Sequence, residues 1–307
     1  MKILLIPRVQ VHNANALSSP YTIGFPAMTA WLGGVHALQR RLNGSEYEDV
    51  RFKSVAVVCH KMELQTFRGE GDYINSIIGT GNPLVPKTKK GDPQNAERPP
   101  FVEEARCHLT VSLVVECEGL GFGDADEFTE TIDGLVRGRM KFAGGDILHT
   151  RSAQIKNIDN EEKRRKLLRQ LMPGFCLVER RDLMAQAMER GRDGLDALLD
   201  YLRVTHSAST DDSGKVSWQS SRKEKGWLVP IATGFHGITE LGEAANQRDP
   251  GVLHRFAESV VTLGEFIMPY RIEHMDNMLW QYKPDLNNNL YLCTPKKPIT
   301  NIYGQQL

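Results

Sequence analysis

Between Val102 and Cys117 the chain alternates apolar and polar side chains. Ala105, Cys107, Leu109, Val111, Leu113, Val115 and Cys117 fall on one face, and Arg106, His108, Thr110, Ser112 and Glu116 on the other. A period of two is that of a strand. Ile3–Val11 reads as another strand, with Ile3, Leu5, Val9 and Val11 on one side and Arg8, Gln10 and His12 on the other. Arg51–Glu63 is a further strand. Pro26–Leu42 has the helical period, its apolar stripe running through Ala27, Trp31, Val35, Leu38 and Leu42. Asp126–Phe142 repeats that period at Phe128, Ile132, Leu135 and Arg139–Met140, and the glycines of FAGGDI end it. FCLVERR, Phe175 to Arg181, follows Pro173-Gly174 as a fourth strand.

The order over Lys2–Arg181 is β-α-β-β-α-β, which predicts an α+β fold with a ferredoxin-like (RRM-like) core. Thr66–Pro100, rich in Gly and Pro and carrying PKTKKGDP, is too long for an ordinary connection and reads as an inserted thumb-like projection. The expected division is a core over 1–181, with 66–100 as its insertion, and a mixed α/β extension over 182–307. That extension reads as a helix at Asp182–Arg203, a polar loop SASTDDSGKVSWQSSRKEKG, a strand at Trp227–Phe235, a helix at Gly251–Phe266 and a mixed tail.

Composition adds limits. The 307 residues carry 38 Lys+Arg against 38 Asp+Glu, so nucleic-acid binding would have to come from local clusters. Five scattered cysteines fit reduced thiols better than a disulfide framework. No apolar run reaches the roughly 20 residues that span a bilayer, and MKILLIPRV is too short and too soon polar for a signal peptide. A soluble cytoplasmic protein with no membrane contact is expected.

Two places offer chemistry. Asn13, Asn15, Ser18, Ser19, Thr22 and Gly24 line a polar turn ahead of the helix that opens at Pro26; the pattern is that of an ordinary capping loop, and its geometry also suits phosphate. If the first and third strands lie side by side, Arg8, Gln10 and His12 neighbour Arg106, His108 and Thr110 on an open face. That face suits phosphates or base edges, or is solvated and paired with acids such as Glu104 and Glu116. It lacks the aromatic pair with which an RNA-recognition motif stacks bases. EEKRRKLLRQ, Glu161 to Gln170, carries more cations than its glutamates neutralise; it is a solvated helix face or a phosphate contact.

Cys59-His60 and Cys107-His108 do not converge on a metal, because adjacent strand residues point to opposite faces. The chain contains no CxxC, HExxH, GxSxG, Walker A or GxGxxG spacing. No metal, cofactor or catalytic residue is expected. His36 stands on the polar side of the first helix with Thr29, Gly33 and Arg40, while Arg40-Arg41 complement that helix's dipole.

NANALSSPYTIGFPAMTAWLGGVHAL, Asn13 to Leu38, closely resembles the signature of the 5′-handle-binding subunit of type I-F CRISPR surveillance (Csy, or Cascade) complexes. That family belongs to the repeat-associated (RAMP) ferredoxin-like superfamily. The resemblance continues in order through VVCHKMELQ, VEEARCHLTVSLVV, AGGDIL, LMPGFCLVERRDL, GWLVPIATGF, NQRD and LGEFIMPYR. It implies a non-catalytic scaffold in antiviral defence that holds the 5′ handle of the CRISPR RNA. Its implied partners are the large subunit that recognises the protospacer-adjacent motif, the first backbone subunit of the filament, and, through the complex, target double-stranded DNA near that motif. The resemblance implies that Gly144-Gly145 bring backbone close to RNA and that the thumb interlocks with the backbone subunit. The candidate RNA-binding residues are Arg8, His12, Asn13, Asn15, Ser18, Ser19, Phe25, His36, Arg40, Arg106, His108, Gly144 and Gly145. The alternatives are a metal-independent repeat-trimming endoribonuclease of the same superfamily, using His36, His60 or His108, and a free-standing RNA-binding protein.

Overall fold

A computed structural model describes residues 1–79, 84–86, 96–98, 104–121 and 123–299. The first half contains β1 (Lys2–Asn15), a small hairpin of β2 (Leu17–Ser19) and β3 (Thr22–Ile23), α1 (Met28–Leu42) and β4 (Arg51–Leu64). Then come the short pairs β5 (Thr66–Phe67) with β6 (Ser76–Ile77) and β7 (Val85–Pro86) with β8 (Ala96–Glu97). β9 (Arg106–Glu118), α2 (Ala125–Arg139), β10 (Lys141–Phe142), β11 (Gly145–His149), β12 (Gln154–Asn157) and α3 (Glu161–Gln170) follow. The second half contains β13 (Phe175–Glu179), α4 (Arg181–Glu189), α5 (Gly194–Leu202), β14 (Val204–Thr210) and β15 (Val216–Arg222). It ends with β16 (Leu228–Gly237), β17 (Ala257–Ile267), β18 (Trp280–Asp285) and β19 (Leu290–Pro295).

The fold is mixed α+β around one large antiparallel sheet in the order β10-β11-β1-β9-β4-β13-β17-β16-β19-β18, with β12 on the N-terminal half of β1. β9 lies beside β1, as expected, with β4 on its other side. The strand read as the fourth does not complete the core beside β1. β13 pairs with β4, at Phe175↔Cys59, while β11 and β12 take the place next to β1. β18 returns to β4 through Trp280↔Val55, so β4, β13, β17, β16, β19 and β18 close into a ring.

The apolar face of β9 is the one read from its alternation. Ala105, Cys107, Leu109, Val111, Leu113, Val115 and Cys117 all join the core beneath α1 and α2, with Trp31, Leu38, Phe128 and Ile132. The opposite face is closed over half its length. Ile3, Leu5, Ala56, Val58, Val114, Cys176 and Val178 pack there under Leu167 and Leu168 of α3 and under Ile272, Met275 and Met278. Leu183, Met184, Ala197, Leu198 and Tyr201 seat α4 and α5 on Leu228 and Leu263.

Three further expectations change. Gly251–Phe266 is not a helix: β17 runs there between β13 and β16. The β-branched run Val260-Val261-Thr262 favours that outcome, and at Gly264 a Cβ would lie 2.9 Å from Ile231 Cγ2. Asp182–Arg203 is two helices, because Gly191 takes a left-handed φ of 86° and Asp193 caps α5 through the Asp196 N–H. The polar loop is a regular hairpin, β14 on β15, nearly all of it exposed and with Trp218 75% accessible. Of the thumb reading, 80–83, 87–95 and 99–100 lie outside the described residues. What is described there exposes Phe67, Tyr73 and Ile74. No helix among the described residues is long and apolar enough to cross a membrane.

Candidate nucleic-acid interface

β1 carries its side chains to different places than strict alternation predicts. Arg8 and Asn13 have left-handed φ values of 57° and 56°, and the pairing with β9 slips at Ile6/Val9 and again at Val11/Ala14. Each slip inserts one residue and reverses the alternation. Leu4, Ile6, Val9, Val11 and Ala14 therefore all face the helices, while Ile3 and Leu5 face α3. The expected grouping of Ile3 and Leu5 with Val9 and Val11 is corrected by the first bulge.

On the second face the uncovered half is polar. Gln10 sits opposite Thr110, and Thr110 opposite Lys61 of β4. His12 and His108 stack with ring centroids 4.3 Å apart and planes at 15°. The Asn13 N–H donates to His108 Nδ1 at 3.2 Å, and the Gln65 amide spans Asn13 Oδ1 (2.6 Å) and His108 Nε2 (3.2 Å). Arg106 Nη1 donates to Asn13 O at 3.4 Å, and its Nη2 pairs with Glu104 at 2.7 Å. The structure thus brings His12, Asn13, Arg106 and His108 together. Arg106 takes one of the acids foreseen for it, whereas Glu116 binds Ser54 and Lys296 instead.

The glycine turn lies against this group. Asp146 pairs with His12 in register, and Asn15 N–H donates to Ala143 O at 2.8 Å. A Cβ on Gly145 would stand 2.6 Å from His12 O and 2.8 Å from Ala14 N, both backbone atoms that cannot step aside. Alanine at Gly145 is expected to cost about 1–3 kcal/mol, the usual penalty of overpacking. A thermal melt would register this as a lower Tm, and an unchanged Tm would contradict so tight a turn.

Arg8 goes elsewhere. Its N–H donates to Ser112 Oγ at 3.0 Å and its Nη2 to Met172 O at 3.0 Å. His60 lies beside it, Nδ1 2.6 Å from Pro173 O and Nε2 2.7 Å from Ser112 Oγ. Burial lowers the His60 pKa, and Arg8 and Arg151 lower it further; burial and Arg151 likewise lower that of Arg8.

The turn ahead of α1 spends its donors on itself. The Asn15 side chain brackets Leu17, and Thr22 Oγ1 meets Ser18 Oγ at 2.9 Å and Ser19 Oγ at 2.7 Å. Phe25 is 6% exposed and packs on Trp31 and Phe266, so its ring belongs to the core rather than to a surface contact. His36 lines a cavity with Phe52, Ser54 and Trp280. Phe52 pairs with Cys117, as does Lys2, which puts that cavity at the end of the sheet away from His12. Arg40 is exposed in the last turn of α1. Neither residue joins the stacked histidines.

Cys59 and Cys107 are buried in the helix-side core, where burial pushes their thiols up to about 11 and about 12. Their neighbours His60 and His108 face the other way. On α3, Arg164 and Arg165 are bound to Glu161 and Lys163 to Asp159. Lys166 and Arg169 remain exposed. Gln65 and Arg151 are not among the residues that the sequence points to. Gln65 lies in a stretch that carries the resemblance, and nothing in the pattern around Arg151 distinguishes it.

Residues 4–293 match the family described as CRISPR-associated protein (Cas_Csy2). A CRISPR-associated protein Csy2 of Pseudomonas aeruginosa (strain UCBPP-PA14) is 36% identical over 318 residues, covering 94% of this chain and 94% of that relative.

Proposed function

The chain belongs to the CRISPR-associated Csy2 family, and on that premise we propose that it is a non-catalytic guide-RNA-binding scaffold subunit of a type I-F effector complex, active in the cytoplasm. It holds the 5′ handle of the CRISPR RNA and joins the large subunit that recognises the protospacer-adjacent motif to the first backbone subunit. Base pairing by the guide then reads the target, and protein reads the handle and the flanking double-stranded DNA. The observation that carries this reading is the half-covered sheet face. Where α3 stops, the strands present Gln10, His12, Arg106, His108 and Thr110 beside a glycine turn.

In this reading β1, α1, β4, β9 and α2, completed by β11 and β12, make the ferredoxin-like core. The handle crosses its uncovered half, with bases against the histidine pair and backbone against Gly144-Gly145. The exposed Phe67, Tyr73 and Ile74 of the thumb meet the backbone subunit, and the C-terminal extension packs on the core and on partner subunits. His60 and His108 support a binding role over the ribonuclease alternative. Both ring nitrogens of His60 lie in hydrogen bonds to neighbouring protein groups, and His108 is fixed by the Asn13 N–H on its Nδ1 and by its stack on His12, so neither ring is poised on a 2′-OH.

The test is fluorescence anisotropy of the purified chain with a short single-stranded RNA of handle sequence. His12→Ala with His108→Ala is expected to weaken binding by about 1–3 kcal/mol, the scale of one base stacked on a ring. Wild-type affinity in that double variant would remove the sheet face from the interface.

A further inference from the structure

Around the stacked histidines, cations among the described residues have acids beside them: Arg106 has Glu104, Lys141 has Asp146, and Lys61 has Glu63. At the boundary between the covered and uncovered halves of the face the pattern reverses. Arg8 and His60 meet there on the Ser112 hydroxyl, with the Arg151 backbone bonded to Pro7 O beside them, and the charges acting on Arg8 and His60 are positive: Arg151 on Arg8, and both arginines on His60. Like charges held together cost free energy that an anion between them would recover.

The fold nevertheless fixes this grouping from several sides. Arg8 stands in the first bulge of β1, with its Nη2 donating to Met172 O and its N–H donating to Ser112 Oγ. Ser112 is 2% exposed, and its hydroxyl is shared between Arg8 and His60. The Arg151 N–H donates to Pro7 O at 3.1 Å, tying its backbone to the residue before Arg8. Beneath His60 the chain is packed to the limit, since a Cβ on Gly174 would lie 2.6 Å from His60 Nδ1. Arg8 and His60 are half-buried and Arg151 is exposed, so the corner is open on the Arg151 side.

We propose that Arg8 and Arg151, with the edge of His60, form a seat for one backbone phosphate of a single-stranded RNA. A phosphodiester offers the acceptor oxygens and single charge that two guanidinium forks bind well. The proposal rests on the RNA-binding reading above and gives the strand a direction: from the stacked histidines it passes Gln10 and reaches Arg8. Those positions on β1 are separated by about 13 Å at the rise of a strand.

The experiment is anisotropy of the purified chain with the handle RNA across a KCl series. Arg151→Gln alters an exposed side chain and is expected to weaken binding about tenfold while making the slope of log K against log salt shallower by about 0.7. Arg8→Lys keeps the charge but loses the fork, and is expected to bind severalfold more weakly. Lys53→Gln, at the other end of the sheet, is expected to behave as the wild type. Wild-type affinity and slope in Arg151→Gln would overturn the seat and leave the RNA-binding reading standing. Equal losses in Arg151→Gln and Lys53→Gln would also overturn it, because they would report diffuse charge. If the wild type binds no handle RNA, the broader reading fails and inorganic phosphate decides the seat by NMR. His60 imidazole resonances that shift in the wild type but not in Arg151→Gln support the seat; no shift in either overturns it.

Discussion

Replacing Arg180 with methionine is expected to destabilise the fold by about 3–5 kcal/mol, the cost of breaking a buried ion pair from one side. The guanidinium is 2% exposed. Its Nε and Nη2 donate to Asp182 Oδ1 and Oδ2, both at 2.9 Å, and its Nη1 donates to Glu265 Oε2 at 2.5 Å. Burial alone would lower its pKa, and the two carboxylates reverse that and raise it. Methionine replaces the stem but leaves Glu265, 1% exposed, without that cation. The group stands where β13 passes into α4 against β17, so the loss falls on the joint that carries α4, α5 and the exposed hairpin. Urea unfolding followed by tryptophan fluorescence measures it. A loss below about 1 kcal/mol, within the range of surface substitutions, would contradict the account. Adding Glu265→Leu to the methionine variant is expected to restore part of the stability, because the buried carboxylate that faced Arg180 is then gone as well.

Trp280→Ala is expected to cost about 3–5 kcal/mol as well, by a different route: a cavity in the core. The indole is completely buried, its Nε1 donates to Leu177 O at 3.0 Å, and Trp280 pairs with Val55 of β4 and Pro295 of β19. It is therefore the residue through which the C-terminal strands close on β4. Hydrogen exchange of the β18 and β19 amides should accelerate in the variant along with the global loss. Amides that exchange as slowly as in the wild type would mean that the ring is closed without the indole.

The uneven legibility of the sequence has local causes. β9 was readable almost residue by residue because its apolar positions alternate along the whole strand and the core accepts all of them. β1 was readable as a strand but not as a pair of faces. Its two bulges sit at Arg8 and Asn13, and at Arg8 neither glycine nor a turn motif announces a left-handed residue. The consequence reached the site. Strict alternation puts Arg8 beside Arg106 and His108, whereas it stands with His60 on Ser112 and next to the Arg151 backbone, which only the tertiary fold brings near. The C-terminal half was hardest, because its strands owe their state to neighbours far away in sequence. Ala257–Ile267 has apolar residues at helical spacing, yet two waiting strand edges make it β17. Serines and threonines make Ser207–Gly226 look like a loop, although Ser209 to Ser217 and His206 to Ser220 are cross-strand hydrogen bonds of a hairpin. In the turn before α1 the residue types were right for a polar loop, but Ser18, Ser19 and Thr22 bond to one another.

The central claim is that the uncovered half of this sheet face holds the 5′ handle of the guide. It is tested most directly by photo-crosslinking in the assembled complex, with a guide RNA carrying 4-thiouridine only in its handle, followed by mass spectrometry of the linked peptides. The account predicts crosslinks in this chain to peptides containing His12–Asn13, Arg106–His108 and Gly144–Arg151. Crosslinks confined to other subunits, or in this chain only to the outer face of α3 or to the 204–222 hairpin, would contradict it.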